Sequence, residues 1–303
     1  MQKVLVVVGP TGVGKTNLSI ELAKKYNAEI ISGDAYQCYK ELNIGSAKIL
    51  CKDMQGIPHH LIDFISYKEE YNVKIFQQKA RAIIEDIRNR GKLPMIVGGT
   101  GLYIKALLYD YVFHDEEIDE EYSAYLNTLT SEELYQKLLV VDKQSAKELH
   151  PNNHKRIKRA LMMEHMGHSK SETLQKQNHT LLYDAYIVGL TMERSHLYER
   201  INKRVELMMN QGLEAEVMGL VKNVEDFNLQ SLQGIGYKEW KDYYLKEQSK
   251  DDTIALIQKN TRNFAKRQYT WFRNQMDVHW IDTEDKNFKK DLLVKLEYWV
   301  KND

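Results

Sequence analysis

Short apolar runs alternate with amphipathic segments along much of this chain. The apolar runs are rich in Val and Ile and are bounded by glycine, proline or charged residues, which is typical of buried strands. The segments between them place apolar residues three and four positions apart, as on one face of a helix. The pattern predicts strands at 3–8, 29–32, 94–97, 183–190 and 278–281, and helices at 16–26 and 72–90.

The order of these elements predicts the fold class, an α/β protein. Strands that alternate with helices form a parallel sheet flanked by helices. Roughly 80 residues separate the third and fourth predicted strands, and their helix-forming composition indicates a helical insertion. We therefore predict a core made of residues 1–111 and 181–303, and a helical insertion at 112–180. From Arg194 onward the pattern is again mostly helical.

The composition narrows the class of protein. With 43% hydrophobic and 28% charged residues, the chain resembles an ordinary globular protein. Its two cysteines, Cys38 and Cys51, do not fit a disulfide framework or a structural zinc site, and they favour a reducing compartment. No apolar run approaches the roughly 20 residues that a membrane span needs. We expect a cytoplasmic monomer without a membrane segment.

The most specific motif follows the first predicted strand. Residues 9–16 are GPTGVGKT and match the phosphate-binding pattern GxxxxGK[ST] in full, between a strand and a helix. The backbone amides from Gly12 to Lys15 and the helix dipole are expected to bind phosphate oxygens. Lys15 would neutralise charge on them, and the Thr16 hydroxyl would ligate Mg²⁺. The motif predicts a di- or triphosphate ligand and leaves its identity open.

The acidic residues differ from those of a typical nucleotide hydrolase. Such enzymes order Mg²⁺ with an Asp at the end of another strand, but the third predicted strand ends in GGTG, residues 98–101. Asp34 follows the second predicted strand instead. Ligands of open parallel sheets bind at the carboxyl ends of the strands, so Asp34 is expected to face the same crevice as the phosphate loop. There it would accept a proton or order a metal; a turn or helix cap is the alternative.

Three weaker patterns have two interpretations each. Gln37 carries an amide suited to a base edge, or is a surface glutamine. In the turn at 98–101, glycine permits close approach to a ligand and the Thr100 hydroxyl could bond to it, or the turn only packs a helix on the sheet. His59 and His60 would point to opposite faces of an extended chain, so we expect a structural or ligand-positioning role rather than one shared metal.

Although the net charge of the chain is zero, its cations are unevenly distributed along the sequence. Residues 254–275 contain five basic residues and no acid, and four of the five share one helix face. A second cluster lies in the predicted insertion. The two sets are Lys259, Arg262, Lys266 and Arg273, and Lys155, Arg156, Lys158 and Arg159. Both fit a phosphate backbone, with a solvated helix face as the alternative.

Together these motifs resemble those of the tRNA dimethylallyltransferases, also called tRNA isopentenyltransferases. The matching segments occur in the same order from about residue 4 to 282: GPTGVGKT, SGDAYQCY, NIGSAK, GIPHHLID, VGGTGLYIKALL, NNHKRIKRAL, RSHLYERINKRVELMMNQGLEAEV, IGYKE and TRNFAKRQYTWFRNQ. The resemblance implies transfer of a dimethylallyl group from dimethylallyl diphosphate to the exocyclic amine of the adenosine 3′ of the anticodon, tRNA position 37.

The resemblance also implies residue roles. The implied catalytic residues are Asp34 as general base, Thr100 as a substrate contact, and Arg204, which belongs with Arg194 and Arg200 to a basic motif that stabilises the departing diphosphate. The implied diphosphate-binding residues are Gly9, Pro10, Thr11, Gly12, Val13, Gly14, Lys15 and Thr16, with Mg²⁺ at Thr16. The implied tRNA-binding residues are Asp34, Ala35, Tyr36, Gln37 and Thr100 near the flipped adenosine, and Lys155, Arg156, Lys158, Arg159, Lys259, Arg262 and Lys266 elsewhere.

The chain departs from the family pattern beside Asp34. Ala35 stands where the family usually has Ser, and Tyr36 where Met or Arg is common. Since Asp34 and Gln37 are both present, we expect activity. Two other hypotheses are a P-loop kinase of a nucleoside or small metabolite, based on the phosphate loop alone, and a non-catalytic RNA-binding module, based on the basic clusters.

Overall fold

The computed structural model describes residues 1–113, 119–167 and 180–302. The chain divides into two compact units, the first formed by Met1–Tyr109 with Leu181–Asp303 and the second by Asp110–Thr180. These bounds lie within two residues of the predicted ones. Tyr109 and Leu181 form an antiparallel bridge. The two segments of the first unit are therefore joined to each other at the point where the chain enters and leaves the second unit.

Six parallel strands form the sheet of the first unit. They are β1 (Lys3–Val8), β2 (Ala28–Ser32), β3 (His59–His60), β4 (Leu93–Gly98), β5 (Asp184–Thr191) and β6 (His279–Asp282). Their order across the sheet is β3-β2-β4-β1-β5-β6. The β-branched run of β1 is buried between β4 and β5, the position in which a strand needs apolar residues on both faces. The predicted parallel α/β fold is confirmed, and each predicted strand end lies within one residue of the observed end.

Helices follow most of the strands. In the first unit they are α1 (Lys15–Tyr26), α2 (Val73–Asn89), α3 (Gly101–Leu108), α8 (Arg194–Asn210), α9 (Leu213–Leu220), α10 (Lys241–Tyr244), α11 (Lys250–Gln275) and α12 (Phe288–Lys301). Helix α2 illustrates why they begin and end where they do. The Asn72 side chain accepts hydrogen bonds from two amides of its first turn, and Gly91, with a φ of 68°, follows its last turn.

Different helices cover the two faces of the sheet. Along β1, Val4 and Val6 belong to one hydrophobic core, and Leu5 and Val7 belong to the other, as expected for side chains that alternate along a strand. Apolar residues of α2, α3 and α9 complete the first core. Apolar residues of α1 and α12 complete the second core, and α8 and α11 contribute to both. Helices α1 and α3 therefore lie on opposite faces.

The second unit is helical and has a core of its own. Its described helices are α4 (Glu120–Thr128), α5 (Ser131–Val141), α6 (Lys143–Glu148) and α7 (His154–His165). Leu126, Leu134, Leu138 and Leu161 are buried together between them. A capping box at Thr130 and Glu133 fixes the start of α5. Among the described helices of the whole chain, none has both the length and the apolar character that crossing a membrane requires.

The adjacent histidines form β3, which the sequence pattern did not predict. His60 Nε2 lies 2.8 Å from Glu29 Oε2, whereas His59 Nδ1 lies 2.8 Å from a backbone carbonyl oxygen two residues earlier. Glu29 is buried in β2 and also accepts hydrogen bonds from Arg90 and from Lys92 Nζ at 2.8 Å. The contact with this buried carboxylate favours a structural role for His60.

We expect Glu29→Gln to lower the free energy of unfolding by about 2 kcal/mol at pH 7, because it weakens charge-assisted hydrogen bonds to a buried group. The hydrogen bonds from Arg90 hold the pKa of Glu29 well below its ordinary range. A depressed folded-state pKa contributes stability above the unfolded-state pKa of about 4.3, and that stability is lost as the pH falls toward the folded-state pKa. Urea unfolding of both proteins from pH 7 to pH 3 measures the difference.

Glu297→Gln is the matched control, because Glu297 forms an exposed ion pair with Lys25 at 2.6 Å. Exposed pairs contribute little, so this variant should unfold like the parent protein. Equal losses in the two variants, or a Glu29→Gln deficit that persists undiminished at pH 3, would contradict the role assigned to the buried cluster.

Candidate active site

The phosphate loop, residues 9–16, connects the end of β1 to the start of α1. Gly9 has a φ of 143°, and a Cβ there would lie 2.8 Å from the Leu190 carbonyl oxygen, so only glycine fits. Helix α1 begins at Lys15, and the first amides of a helix have no carbonyl partner within it. Together with the partial positive charge of the helix start, these amides make the loop suited to a phosphate group.

Lys15 lies within the loop itself. Its Nζ donates hydrogen bonds to the carbonyl oxygens of Gly9 at 2.9 Å and Pro10 at 2.8 Å. Burial lowers the pKa of Lys15 to about 8; the charge of Asp34 opposes this shift, and the charge of Arg204 adds to it. The side chains of Lys15, Asp34 and Arg204 therefore lie within electrostatic range of one another.

Helix α8 brings two arginines toward the phosphate loop. Leu197 and Ile201 are buried on the side of α8 that packs against the loop. Arg200 is placed so that a Cβ at Gly14 would lie 3.9 Å from its guanidinium nitrogen. Arg204, one helical turn further, is half-buried. Burial lowers its pKa, the charge of Asp34 opposes this, and the charge of Arg200 adds to it.

Arg194, the third arginine of the predicted basic motif, is engaged elsewhere. Its guanidinium lies 5.1 Å from the centre of the Tyr198 ring, and its Nε donates to the Tyr198 hydroxyl at 3.0 Å. Among the three candidates for a diphosphate contact, the geometry thus favours Arg200 and Arg204.

Asp34 follows β2 at the same edge of the sheet as the phosphate loop. Its Oδ1 accepts hydrogen bonds from the amides of Tyr36 at 2.8 Å and Gln37 at 3.2 Å. Asp34 therefore shapes the turn, as the alternative interpretation expected, and also acts on the charges of Lys15 and Arg204. Its other oxygen, Oδ2, has no hydrogen-bond donor among the described residues. The turn holds the carboxylate and leaves Oδ2 for another partner.

The two departures from the family pattern fit around Asp34. The ring of Tyr36 packs on Gly234, where a Cβ would lie 2.7 Å from a ring carbon. Burial, with a smaller contribution from Asp34, raises the pKa of Tyr36 to about 12, so its phenol is neutral near pH 7. Ala35 is partly buried and packs against the first core. Neither side chain donates a hydrogen bond to Asp34 in the described structure.

The amide of Gln37 has a defined orientation. Its Nε2 donates to the carbonyl oxygens of Ser46 at 3.4 Å and Ala47 at 3.3 Å. An amide side chain has two donor hydrogens on nitrogen and one acceptor oxygen. With the nitrogen directed to the backbone, Oε1 is the group that Gln37 offers to a ligand, and it would accept a hydrogen bond from an amine.

A set of hydrogen bonds from Glu216, a clamp that no sequence pattern predicted, holds the loop at 43–47. Glu216 Oε2 accepts from the amides of Asn43 at 3.0 Å and Ile44 at 2.8 Å, and its Oε1 accepts from the Gly45 amide at 3.0 Å and the Tyr237 hydroxyl at 2.8 Å. GLEAEV and IGYKE carried the family resemblance, but nothing local in them shows that they bind a loop about 170 and 190 positions earlier, respectively. The clamp fixes the carbonyls that orient Gln37.

The turn after β4 is joined both to Asp34's segment and to the phosphate loop. The Thr100 amide donates to the Gly33 carbonyl at 3.3 Å. Gln268 of α11 accepts from the Thr11 amide at 2.9 Å and donates to the Gly99 carbonyl at 2.9 Å. The Thr11 amide is thus already engaged, which leaves the side chain of Thr11 for the predicted diphosphate contact. The sequence pattern around Gln268 did not predict this bridge, because its partners are distant in sequence.

A cavity of about 610 Å³ opens beside the phosphate loop. Its walls combine polar and apolar side chains. The polar ones include Thr16, Asn17, Ser32, Gln37, Lys48 and Arg204, and the apolar ones include Ile44, Ile49, Leu50, Leu207 and Met208. Asp34 and Thr100 are not among the described residues that line it. The cavity can hold a ligand with one charged end and one apolar end.

The predicted basic stripe on α11 is only partly exposed. Lys259 and Lys266 are exposed, but Arg262 is half-buried and donates to Asn202 Oδ1 at 2.6 Å. The Arg273 guanidinium lies 5.4 Å from the centre of the Tyr269 ring. Two of the four cations thus have neighbours within the protein, and Lys259 and Lys266 are the better placed for RNA.

The basic cluster of the second unit lies on α7. Lys155, Arg156 and Arg159 are exposed, whereas Lys158 is half-buried and donates to Asn127 Oδ1 at 2.8 Å. Ile157 of the same helix is buried in the core of this unit. The cluster therefore covers the outer side of α7.

Family models and curated relatives match most of the chain. The model described as IPP transferase matches residues 37–275, and the model described as isopentenyl transferase matches residues 2–68. The tRNA dimethylallyltransferase of Bacillus cytotoxicus is 48% identical over 98% of this chain and 95% of its own length. The enzyme of the same name from Bacillus anthracis is 46% identical over 98% of this chain and 96% of its own length.

Solved structures give the same result. A tRNA delta(2)-isopentenylpyrophosphate transferase from Staphylococcus epidermidis is 39% identical, with a TM-score of 0.73 over 98% of this chain and 99% of its own. A eukaryotic dimethylallyltransferase acting on tRNA is 29% identical, with a TM-score of 0.87 over 100% of this chain and 80% of its own.

The pKa of Lys15 predicts how the loop responds to pH. The affinity of the protein for inorganic diphosphate should decline above about pH 8, by up to about tenfold per pH unit, because Lys15 loses its charge there. Below this pH the ammonium is present and its contribution is complete. Titration calorimetry from pH 6.5 to pH 9.5 measures the affinity.

Lys15→Arg provides the comparison, since a guanidinium remains charged throughout this range. The ratio of the two affinities removes the titration of diphosphate itself, so it should be constant below pH 8 and change above it. Parallel curves for the two proteins would mean that Lys15 is not the titrating group.

Proposed function

Because this chain belongs to the tRNA dimethylallyltransferase family, we propose that it transfers the dimethylallyl group of dimethylallyl diphosphate to the exocyclic amine of the adenosine at tRNA position 37. The products are diphosphate and N6-dimethylallyladenosine. One observation carries the proposal: the Asp34 carboxylate lies within electrostatic range of Lys15 and Arg204 at the phosphate loop. A base beside an anion site suits the displacement of diphosphate by an amine.

The phosphate loop and its cations suit the prenyl donor. Residues 9–16 would bind the diphosphate, with Lys15, Arg200 and Arg204 around it. The cavity next to Thr16 adds an apolar wall that fits a short hydrocarbon chain. A γ-phosphate is not transferred in this reaction, which agrees with a β4 strand that ends in glycine rather than in an acid.

The segment after β2 suits the acceptor. The adenosine must leave its stack in the anticodon loop to reach the site, which costs a few kcal/mol. The Oε1 of Gln37 would accept a hydrogen bond from the adenine, and Asp34 Oδ2 would accept one from the reacting amine. Thr100 lies beside Gly33 and would contact the substrate from the other turn.

The chemical step is a substitution at the first carbon of the prenyl group. The amine nitrogen forms a bond to this carbon while the carbon–oxygen bond breaks, and diphosphate leaves with the electron pair. Asp34 takes the proton that the amine loses. An aromatic amine is a weak nucleophile, so proximity to the donor and removal of the proton must supply much of the rate. Lys15 and Arg204 stabilise the charge that develops on the diphosphate.

Magnesium fits the donor end of the site. Mg²⁺ usually keeps several waters and binds to one or two protein oxygens together with phosphate oxygens. The hydroxyls of Thr16 and Ser32 line the cavity, and the described residues contain no acidic cluster that would hold the ion by itself. Thr16 would therefore ligate an ion carried mainly by the diphosphate. When bound, the ion supplies positive charge to the leaving group.

The basic residues suit the RNA backbone. Contacts to phosphate position a nucleic acid without reading its sequence. Lys259 and Lys266 on α11, and the α7 cluster with Lys155 and Arg156, are exposed for this purpose. The second unit would bind the anticodon stem.

A reconstituted reaction tests the proposed function. Protein, dimethylallyl diphosphate, Mg²⁺ and unmodified tRNA should give prenylated adenosine after nuclease digestion, without ATP, and a tRNA with guanosine at position 37 should give none. The kinase alternative needs ATP and releases ADP, and an RNA-binding module would bind tRNA without any product. Failure to modify a tRNA that carries adenosine at position 37 would overturn the proposal.

We expect Asp34→Asn to lower kcat by about 10²- to 10⁴-fold, because the amide cannot take the proton. Its oxygen can still accept from the Tyr36 and Gln37 amides, so the turn should persist and tRNA affinity should change little. Single-turnover rates and filter binding measure the two quantities. Asp291→Asn, at an exposed position on α12, is the control. A near-normal rate for Asp34→Asn would exclude Asp34 as the base.

We expect the double variant Lys155→Ala, Arg156→Ala to bind tRNA more weakly and with a flatter salt dependence. Each lost phosphate contact should reduce the slope of log affinity against log salt by about 0.9. The rate at saturating tRNA should be unchanged, since these residues do not touch the reacting atoms. Lys289→Ala removes a cation paired with Glu21 instead, and should leave the slope as it is. Equal slopes for all three proteins would show that α7 does not bind RNA.

A further inference from the structure

Gln268 has an unusual place for a polar side chain. It lies on α11 with 5% of its surface exposed. Both functional groups of its amide are satisfied by backbone: Oε1 accepts from the Thr11 amide, and Nε2 donates to the Gly99 carbonyl oxygen, each at 2.9 Å. A buried amide with two such partners is held in one orientation, because loss of either hydrogen bond leaves a buried polar group unpaired.

The two partners belong to turns that diverge. Thr11 is in the phosphate loop after β1, and Gly99 is in the turn after β4, the strand beside β1 in the sheet. The helices that follow, α1 and α3, belong to the cores on opposite faces. Neighbouring strands whose connections leave in opposite directions form a crevice between their ends. Gln268 bonds to both sides of this crevice.

The turns also differ in what they carry. The phosphate loop holds Lys15, on the donor side of the proposed reaction. The turn at 98–101 holds Thr100, whose amide bonds to Gly33, the residue before Asp34. The separation of the two turns therefore sets how far the donor lies from Asp34 and from the adenosine amine whose proton Asp34 would accept.

We infer that Gln268 is a positioning residue that holds the phosphate loop and the 98–101 turn at the separation that the transfer step requires. This inference rests on the proposed function for its catalytic consequence, whereas the bridge between the turns stands on the geometry alone. Gln268 acts through the two backbone segments and is not assigned a contact with the reacting atoms.

The chemistry of the position favours glutamine. Glutamate would still accept from the Thr11 amide, but its second oxygen would face the Gly99 carbonyl oxygen without a hydrogen to share. Leucine has a similar size and would leave both backbone groups without this partner. A Cβ at residue 99 would lie 2.2 Å from Gln268 Nε2, so glycine at 99 and glutamine at 268 fit together.

The kinetic test compares Gln268→Glu and Gln268→Leu with the parent enzyme. A misplacement of about 1 Å costs on the order of 10²-fold in rate, so kcat should fall about 10²-fold. The KM values for dimethylallyl diphosphate and tRNA should change by less than about threefold, because each turn keeps its own ligand contacts. Gln275→Glu introduces the same change at an exposed position of the same helix and should retain the parent kcat.

Amide hydrogen exchange tests the bridge without any activity. In the parent protein the Thr11 amide should be protected, and inorganic diphosphate should slow exchange at residues 99–101 as well as in the phosphate loop. In Gln268→Leu the Thr11 protection and the effect of diphosphate on 99–101 should both be lost, while a thermal unfolding scan confirms a folded protein.

The outcomes separate the two proposals. Parent kcat in both Gln268 variants, or a loss confined to KM, would overturn the positioning role. Diphosphate protection that still reaches residues 99–101 in Gln268→Leu would overturn the bridge. If the parent enzyme makes no prenylated tRNA, the proposed function fails, and the exchange result still decides whether Gln268 couples the two turns.

Discussion

The excess of positive charge around the phosphate loop is the constraint on which the rest of the site depends. Lys15, Arg200 and Arg204 contribute three positive charges, and Asp34 contributes one negative charge within range of Lys15 and Arg204. Arg200 is exposed, but Lys15 and Arg204 are partly buried, and partly buried cations are costly unless an anion compensates them. The arrangement is therefore complementary to a multiply charged anion, and the single carboxylate beside it remains available for proton transfer. In the proposed reaction, the diphosphate of the donor would compensate these cations and leave Asp34 free to accept a proton.

Long-range side-chain contacts maintain this arrangement. Leu197 and Ile201 pack α8 on the phosphate loop and thereby direct Arg200 and Arg204. Glu216 anchors the 43–47 loop, which orients Gln37. Gln268 connects the phosphate loop to the turn at 98–101. Each contact joins segments that leave the carboxyl edge of the sheet separately. The strands of one sheet hold the starting points of these segments. A few buried polar side chains then set the relative positions of the segments, as is usual for sites that need precise geometry.

The sequence predicted the elements and the local motifs, because both depend on short-range patterns. Strand ends were placed within one residue, since apolar runs of β-branched residues bounded by glycine leave few choices. The edge strand β3 was missed because two residues carry no period. Sequence spacing alone could not show which of the three arginines is directed at the phosphate loop. That choice depends on packing, because Arg194 stacks on Tyr198 instead. Gln268 and Glu216 were missed because a bridging role is defined by partners up to 257 positions away.

The bridge between Tyr109 and Leu181 has a consequence for how the protein can vary and unfold. It closes the first unit at its own boundary, so the second unit is a loop whose two ends are already together. The entropy of closing such a loop grows only slowly with its length. Because Leu126, Leu134 and Leu138 give the second unit its own core, it can open as a separate cooperative segment. Changes of length or stability there need not shift the register of the six strands, so the second unit can vary without disturbing the edge of the sheet that carries the phosphate loop and Asp34.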